Sequence, residues 1–198
     1  MRLLLTALRV NLLTLVLTGA LYPLAVTGAA QLLFPNRANG SLVSDEAGHP
    51  VGSSLIGQGF VQAAYLQPRP SAAGDNGYDA IASGGSNLGP TSQKLRARVE
   101  ADLTRLDHDN PEAVGPVPAE LVLASGSGLD PEISPPAALW QLPRIARARG
   151  IAEPRLRAIL DDRTARRDLG FLGEPRVNVL QFNLALDRQF GRPATVPR

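Results

Sequence analysis

The chain has 198 residues, with 20 Lys+Arg against 18 Asp+Glu, a formal net charge of +2, no Cys and one Met. That length suits one ordinary domain with an appendage, and so even a charge balance gives no argument for nucleic acid as a partner, although the basic residues are nearly all Arg. The lack of cysteine removes disulfides, Cys-ligated zinc and thiol catalysis together, and it leaves the redox compartment undetermined.

The strongest signal is VNLLTLVLTGALYPLAVTGAAQLLF, residues 10–34, which carries no charge. About 20 apolar residues suffice to cross a bilayer as a helix, so this segment reads as a transmembrane helix. Pro23 removes one backbone donor and predicts a kink, tolerable in a membrane where hydroxyls such as Thr18 and Thr27 are at hand. The small residues Gly19, Ala20, Gly28 and Ala29 allow close approach of a partner helix. A secretory signal peptide is the alternative, with Arg2 and Arg9 as its positive end and Thr27-Gly28-Ala29 as a cleavage site. The apolar run exceeds the 7 to 15 residues of such a signal and continues past the cut at Leu32-Leu33-Phe34, which favours an uncleaved anchor. The excess of Arg before the helix places residues 1–9 in the cytoplasm and residues 35–198 outside it.

Residues 36–50 read as a polar linker, with a glycosylation sequon at Asn39-Gly40-Ser41. Residues 54–57 suit a short strand, extended by the apolar stretch 60–65. Residues 67–90 hold so much Gly, Pro, Ser and Asn that turns are expected throughout, and so long an irregular segment is usually functional or held by partners. Thr91-Ser92 cap a helix to about Leu106, with Leu95, Val99, Leu103 and Leu106 on one face and Lys94, Arg96, Arg98 and Glu100 on the other. His108 follows in a polar loop. Neither it nor His49 has a second ligand at metal-binding spacing, so both read as surface histidines.

Leu121-Val122-Leu123 reads as a strand. Ser134-Pro135 opens a helix toward Arg149 that Gly150 ends, and Pro143 should kink or interrupt it. Its Arg144, Arg147 and Arg149 read as a solvated face. Glu153-Pro154 begins another helix, through Leu156, Ile159 and Leu160 to about Asp168. Residues 177–186 are apolar enough to be buried, but Asn178, Leu180, Phe182 and Leu184 alternate as in a strand, while Val177, Leu180 and Leu184 would line a helix. The period leaves both open. The soluble part is thus a mixed α/β (α+β) domain.

Two Gly-rich stretches, SGGSNLGP at 83–90 and SGSGLDP at 125–131, invite a phosphate-binding reading. Neither ends in the Lys-[ST] of a P-loop, so self-bonded turns are preferred. Asp130, between a turn and a Pro, reads as an Asx-turn residue rather than an acid-base group with Glu132. No G-x-S-x-G elbow, Cys nucleophile or partnered His is present, and no catalytic residues are expected.

The motifs ANGSLV, GSSLIGQGF, YLQPRPSA, SGGSNLGP, SGSGLDPEISPPAALWQLPRIARARG and GEPRVNVLQFNLALD, in that order behind one N-terminal helix, resemble the C subunit of the potassium-transporting P-type ATPase, the Kdp system. The resemblance covers almost the whole chain; Leu66 stands where the family often has Phe. It implies an accessory subunit of a cell-membrane complex that imports potassium at the expense of ATP. Its partners would be a channel-like pore subunit, an ATP-hydrolysing subunit and membrane lipid, with no nucleic acid and no cofactor of its own. The family's subunit has also been proposed as a catalytic chaperone that raises ATP affinity in the hydrolysing subunit through a Gln, carried over here to Gln141 in Leu139-Trp140-Gln141. An outer location would keep Gln141 from cytoplasmic ATP. The plain alternative is a helix-surface Gln beside a packed Trp140.

Overall fold

The structure is a computed structural model that describes residues 1–45 and 48–193. It divides into two units, Met1–Leu42 and Val43–Arg198. The first is helical from Arg2 to Leu33 and is the one helix, among the described residues, long and apolar enough to cross a membrane. It comprises α1 (Arg2–Val16), a π turn (Leu17–Leu21) and α2 (Tyr22–Leu33), followed by the short α3 (Pro35–Ala38). The Pro23 effect takes the form of that π turn, where the Tyr22 N–H bonds to the Leu17 carbonyl. A proline cannot donate to the carbonyl four residues back, and a wider turn just before it accommodates the broken ladder.

β1 (Leu42–Ser44) straddles the boundary, and the second unit continues with β2 (Pro50–Ser53), α4 (Gln93–Asp109), a 3-10 turn (Ala119–Leu121), β3 (Glu132–Ile133), α5 (Pro135–Arg149), α6 (Glu153–Arg163), β4 (Thr164–Ala165), β5 (Arg176–Asn178) and α7 (Val179–Phe190). β1 pairs with β2, and β3, β5 and β4 form an antiparallel sheet in that order. Val177 sits opposite both Ile133 and Thr164. Against this small sheet pack the apolar faces of α5, α6 and α7. Ile133, Leu142, Ile145, Leu156, Leu160, Val177, Phe182 and Leu186 form the centre of one core that also takes in Leu66 and Leu106.

Local chemistry sets the helix ends. Ser92 Oγ accepts from the Leu95 N–H, Ser134 Oγ from Ala137 and Asn178 Oδ1 from Gln181, each satisfying one of the free donors of a first turn. Gly150 closes α5 in the left-handed conformation at φ 65°, which a side chain would disfavour.

Several sequence expectations need correction. Residues 36–50 are not only linker, since α3, β1 and the start of β2 lie there; residues 46–47 fall outside the described residues. Residues 54–57 turn away after β2 rather than forming a strand. Leu121-Val122-Leu123 leaves a 3-10 turn, its buried Leu121 and Val122 being used by packing and not by a ladder. His108 belongs to the last turn of α4, because the helix runs three residues past Leu106. α6 stops at Arg163, where β4 begins to pair with β5. At residues 177–186 both periods are real: β5 ends at Asn178, whose side chain caps α7.

Candidate functional site

Residues 67–90 are irregular, as their composition predicts, yet they follow a fixed path. Two side-chain amides from different helices grip consecutive residues at its start. Asn183 of α7 accepts from the Leu66 N–H at 2.8 Å and donates to the Leu66 carbonyl at 2.9 Å. Gln141 of α5 accepts from the Gln67 N–H at 2.9 Å and donates to the Gln67 carbonyl at 3.1 Å. Each amide satisfies both polar groups of a peptide that has no strand partner, as buried backbone requires.

A third amide repairs α5. Pro143 should interrupt the helix, but Asn110 accepts from the Arg144 N–H at 3.0 Å and donates to the Trp140 carbonyl at 2.5 Å. The side chain thereby bridges the two groups that would otherwise bond each other, and the helix continues.

The arginines of α5 complete the frame, which corrects their reading as a solvated face. Arg144 is buried: it donates to the Ala63 carbonyl at 2.6 Å and to Gln141 Oε1 at 2.7 Å. Burial, the largest influence, pulls its guanidinium down to about 10, with Asp109 opposing, so it is cationic at neutral pH. The Arg149 side chain is also buried, lying over the Tyr65 ring with 2.7 Å to Asp187 Oδ1 and 2.7 Å to the Ala64 carbonyl. Tyr65 donates to Asp187 Oδ2 at 2.9 Å, and burial followed by that carboxylate raises its pKa. Only Arg147, paired with Glu112, keeps to the surface. The acceptors that Arg144 and Arg149 find on the backbone are carbonyls of residues 62–64. Helical periodicity carries no trace of such distant acceptors.

Gln141 itself is 0 % exposed, so it is not a helix-surface residue. It is among the residues lining a cleft of about 320 Å³, with Phe60, Gln67, Tyr78, Arg105 and Leu106. Arg105 faces Asp102 at 3.1 Å and Asp109 at 3.8 Å, so the cleft's nearest cation is already matched by carboxylates. The Tyr78 hydroxyl, pushed up to about 12 mainly by burial, donates to the Arg69 carbonyl at 2.7 Å.

The two Gly-rich stretches meet each other. The Gly84 N–H donates to the Ser127 carbonyl at 2.8 Å and Ser83 Oγ to the same oxygen at 3.0 Å. Gly128, at φ 67°, has no room for a side chain: a Cβ there would lie 2.6 Å from the Gly84 carbonyl oxygen and 2.7 Å from the Ala73 nitrogen. The backbones of the two turns thus pack directly against each other. Asp130 makes the expected turn, accepting from the Glu132 N–H, and pairs with Arg69 at 3.1 Å.

In the first unit no side chain is buried. Gly19 lies inside the π turn with Ala20, and Pro23 follows at the start of α2, which also carries Gly28 and Ala29. A side chain added at Gly28 would meet nothing within 4 Å. Among the described residues no cluster of His, Cys, Asp and Glu could hold a metal ion.

A family model described as the c chain of the K+-transporting ATPase matches residues 4–188. The chain is 64 % identical over 187 residues to the potassium-transporting ATPase KdpC subunit of Myxococcus xanthus, covering 94 % of this chain and 88 % of that protein. It is 57 % identical to the KdpC subunit of Rhodospirillum rubrum, over 88 % of this chain and 89 % of that one. To the KdpC subunit of Koribacter versatilis it is 50 % identical over 98 % of both.

Proposed function

This chain belongs to the KdpC family, the c chain of K+-transporting ATPases, and from that premise we propose a division of labour between its two units. The protein is an accessory subunit of the potassium-import complex. Its helix crosses the membrane once with the N-terminus in the cytoplasm, and it packs on the pore-forming and ATP-hydrolysing subunits. The domain from residue 35 onward lies outside, where it stabilises their assembly.

One observation carries this reading: a 32-residue apolar helix has every side chain available to lipid or partners. Membrane helices gain little hydrophobic advantage from pairing, so contact at small residues such as Gly19, Ala20, Gly28 and Ala29 supplies the attraction. Because a Cβ at Gly28 would meet nothing within 4 Å, Gly28→Leu should leave the helix itself intact. It is expected to leave insertion intact, reduce co-purification with the other subunits, and lower potassium-stimulated ATPase activity in proportion. Activity lost from a fully assembled complex would refute the assembly role. Sidedness is checked with Val114→Cys, at an exposed position of a chain without native Cys: an impermeant thiol reagent should label it from outside intact cells.

The chaperone reading through Gln141 is less favoured. Its amide already makes bonds to Gln67, Ala137 and Arg144, and a triphosphate in the adjoining cleft would face Asp102 and Asp109.

A further inference from the structure

The hairpin of β4 and β5 ends in a tip that the core does not use. The Asp168 N–H donates to the Leu172 carbonyl at 2.8 Å and the Leu172 N–H returns to the Asp168 carbonyl at 2.9 Å, closing a tight loop. Leu169 sits at φ 53°, a conformation that a bulky side chain rarely adopts. The result is three large apolar side chains held outward, with Leu169 83 %, Phe171 69 % and Leu172 49 % exposed. Among the described residues nothing offsets that strain and exposure.

Charge surrounds the tip. Residues 163–176 carry Arg163, Arg166, Arg167 and Arg176 against Asp168 and Glu174. Arg163 pairs with Asp162, Arg167 with Glu174, and Arg176 with Glu132 and Asp168, while Arg166 has no carboxylate partner among the described residues. Next to the hairpin's origin, a groove between α6 and α7 of about 610 Å³ adds Arg155 and Arg188 beside the Arg163–Asp162 pair.

We infer that this tip is a membrane-surface anchor, with Leu169, Phe171 and Leu172 entering the boundary between headgroups and acyl chains of an anionic bilayer while Arg166 and its neighbours meet the lipid phosphates. Three protruding side chains are far fewer than the roughly 20–30 residues per side of a stable protein interface. They match instead an interfacial contact, in which apolar insertion and attraction to anionic lipid add. The inference rests on the reading that the first helix spans a membrane, because residues 34–42 then keep the domain near the surface at high effective concentration.

The test uses the full chain in lipid nanodiscs, which expose both faces, so its outcome is independent of sidedness in the cell. Leu172→Cys carries an environment-sensitive fluorophore, and Val114→Cys is the control. In discs containing about a third phosphatidylglycerol, chosen to provide the anionic surface, the 172 probe should shift to the blue and be quenched by a lipid-borne nitroxide, with the 114 probe unaffected. Phosphatidylcholine discs, added salt, or Arg166→Ala with Arg167→Ala should each weaken the quenching several-fold, and Leu169→Ser with Phe171→Ser should abolish it. Equal quenching at both sites, or none at 172 in anionic discs, overturns the proposal. So does shielding of the 172 probe only after the other subunits are added, which would assign the tip to a protein partner.

Discussion

Replacing Gln141 by Ala should cost the domain about 3–5 kcal/mol. The change strips the Gln67 N–H and carbonyl of their partners and takes one acceptor from the buried Arg144 guanidinium. Gln67 is only partly buried, so water recovers some of its loss and each of its two groups costs about 1 kcal/mol, near the low end for unsatisfied polar atoms. The charged bond from Arg144 adds about 1.5–3 kcal/mol, moderated because Arg144 keeps the Ala63 carbonyl. A small cavity contributes the remainder. Against a usual total of about 5–15 kcal/mol, this is a large share. Urea titration of the full chain in mild detergent reads the effect through Trp140, the single Trp, whose indole N–H bonds to the Gly115 carbonyl beside the site. A loss below about 0.5 kcal/mol, within the range of ordinary surface substitutions, would refute the structural role. If ATP affinity of the assembled complex also fell at unchanged stability, Gln141 would return to the nucleotide reading.

Asn110→Ala should destabilise by about 2–3 kcal/mol while Pro143 is present, because it exposes the Trp140 carbonyl and Arg144 N–H as unpaired buried groups. The cost should shrink in a Pro143→Ala background, where the helix closes its own ladder, and a double-mutant cycle measures the difference. At high pH, Tyr78 keeps its proton in the folded state to about 12, against 10.0 in the unfolded chain. Its contribution is therefore complete below pH 10 and is lost as pH rises toward 12. Arg144, shifted downward, acts with the opposite sign over that interval, so the comparison that isolates the tyrosine is Tyr78→Phe. That variant should lose about 1 kcal/mol at pH 8 through the Arg69 carbonyl but decline less steeply than the parent from pH 10 to 12.

Features that depend on neighbours in sequence were readable in advance. The Ser92 and Ser134 caps, the Gly150 stop and the turn at Asp130 need only a few adjacent residues. The arginines of α5 were not, because whether an Arg is solvated depends on acceptors some 80 residues away, at Gln62, Ala63 and Ala64. The same holds for Pro143, whose repair comes from Asn110, 34 residues before the N–H it accepts. Residues 177–186 gave two periods because two elements share them, and only the pairing of Val177 with Ile133 and Thr164 locates the boundary. The Gly-rich stretches were readable as turns, but not as each other's packing partners. That depends on Gly84 meeting Ser127 across 43 positions of chain.

The grip on residues 66 and 67 also sets an order in time. Asn183 reaches back 117 positions to Leu66, Tyr65 meets Asp187 across 122, and Asn178 bonds the Ser54 carbonyl across 124. As the chain emerges from its N-terminus, α4 and α5 can form while the stretch before them still lacks half its contacts. That stretch closes only when α7 arrives. Such long separations slow folding, and a waiting segment rich in Gly and Pro offers few apolar runs for aggregation meanwhile. A chain cut short before residue 179 would therefore fail far from the cut, in its first irregular segment, and proteolysis near residues 67–90 would be its earliest sign.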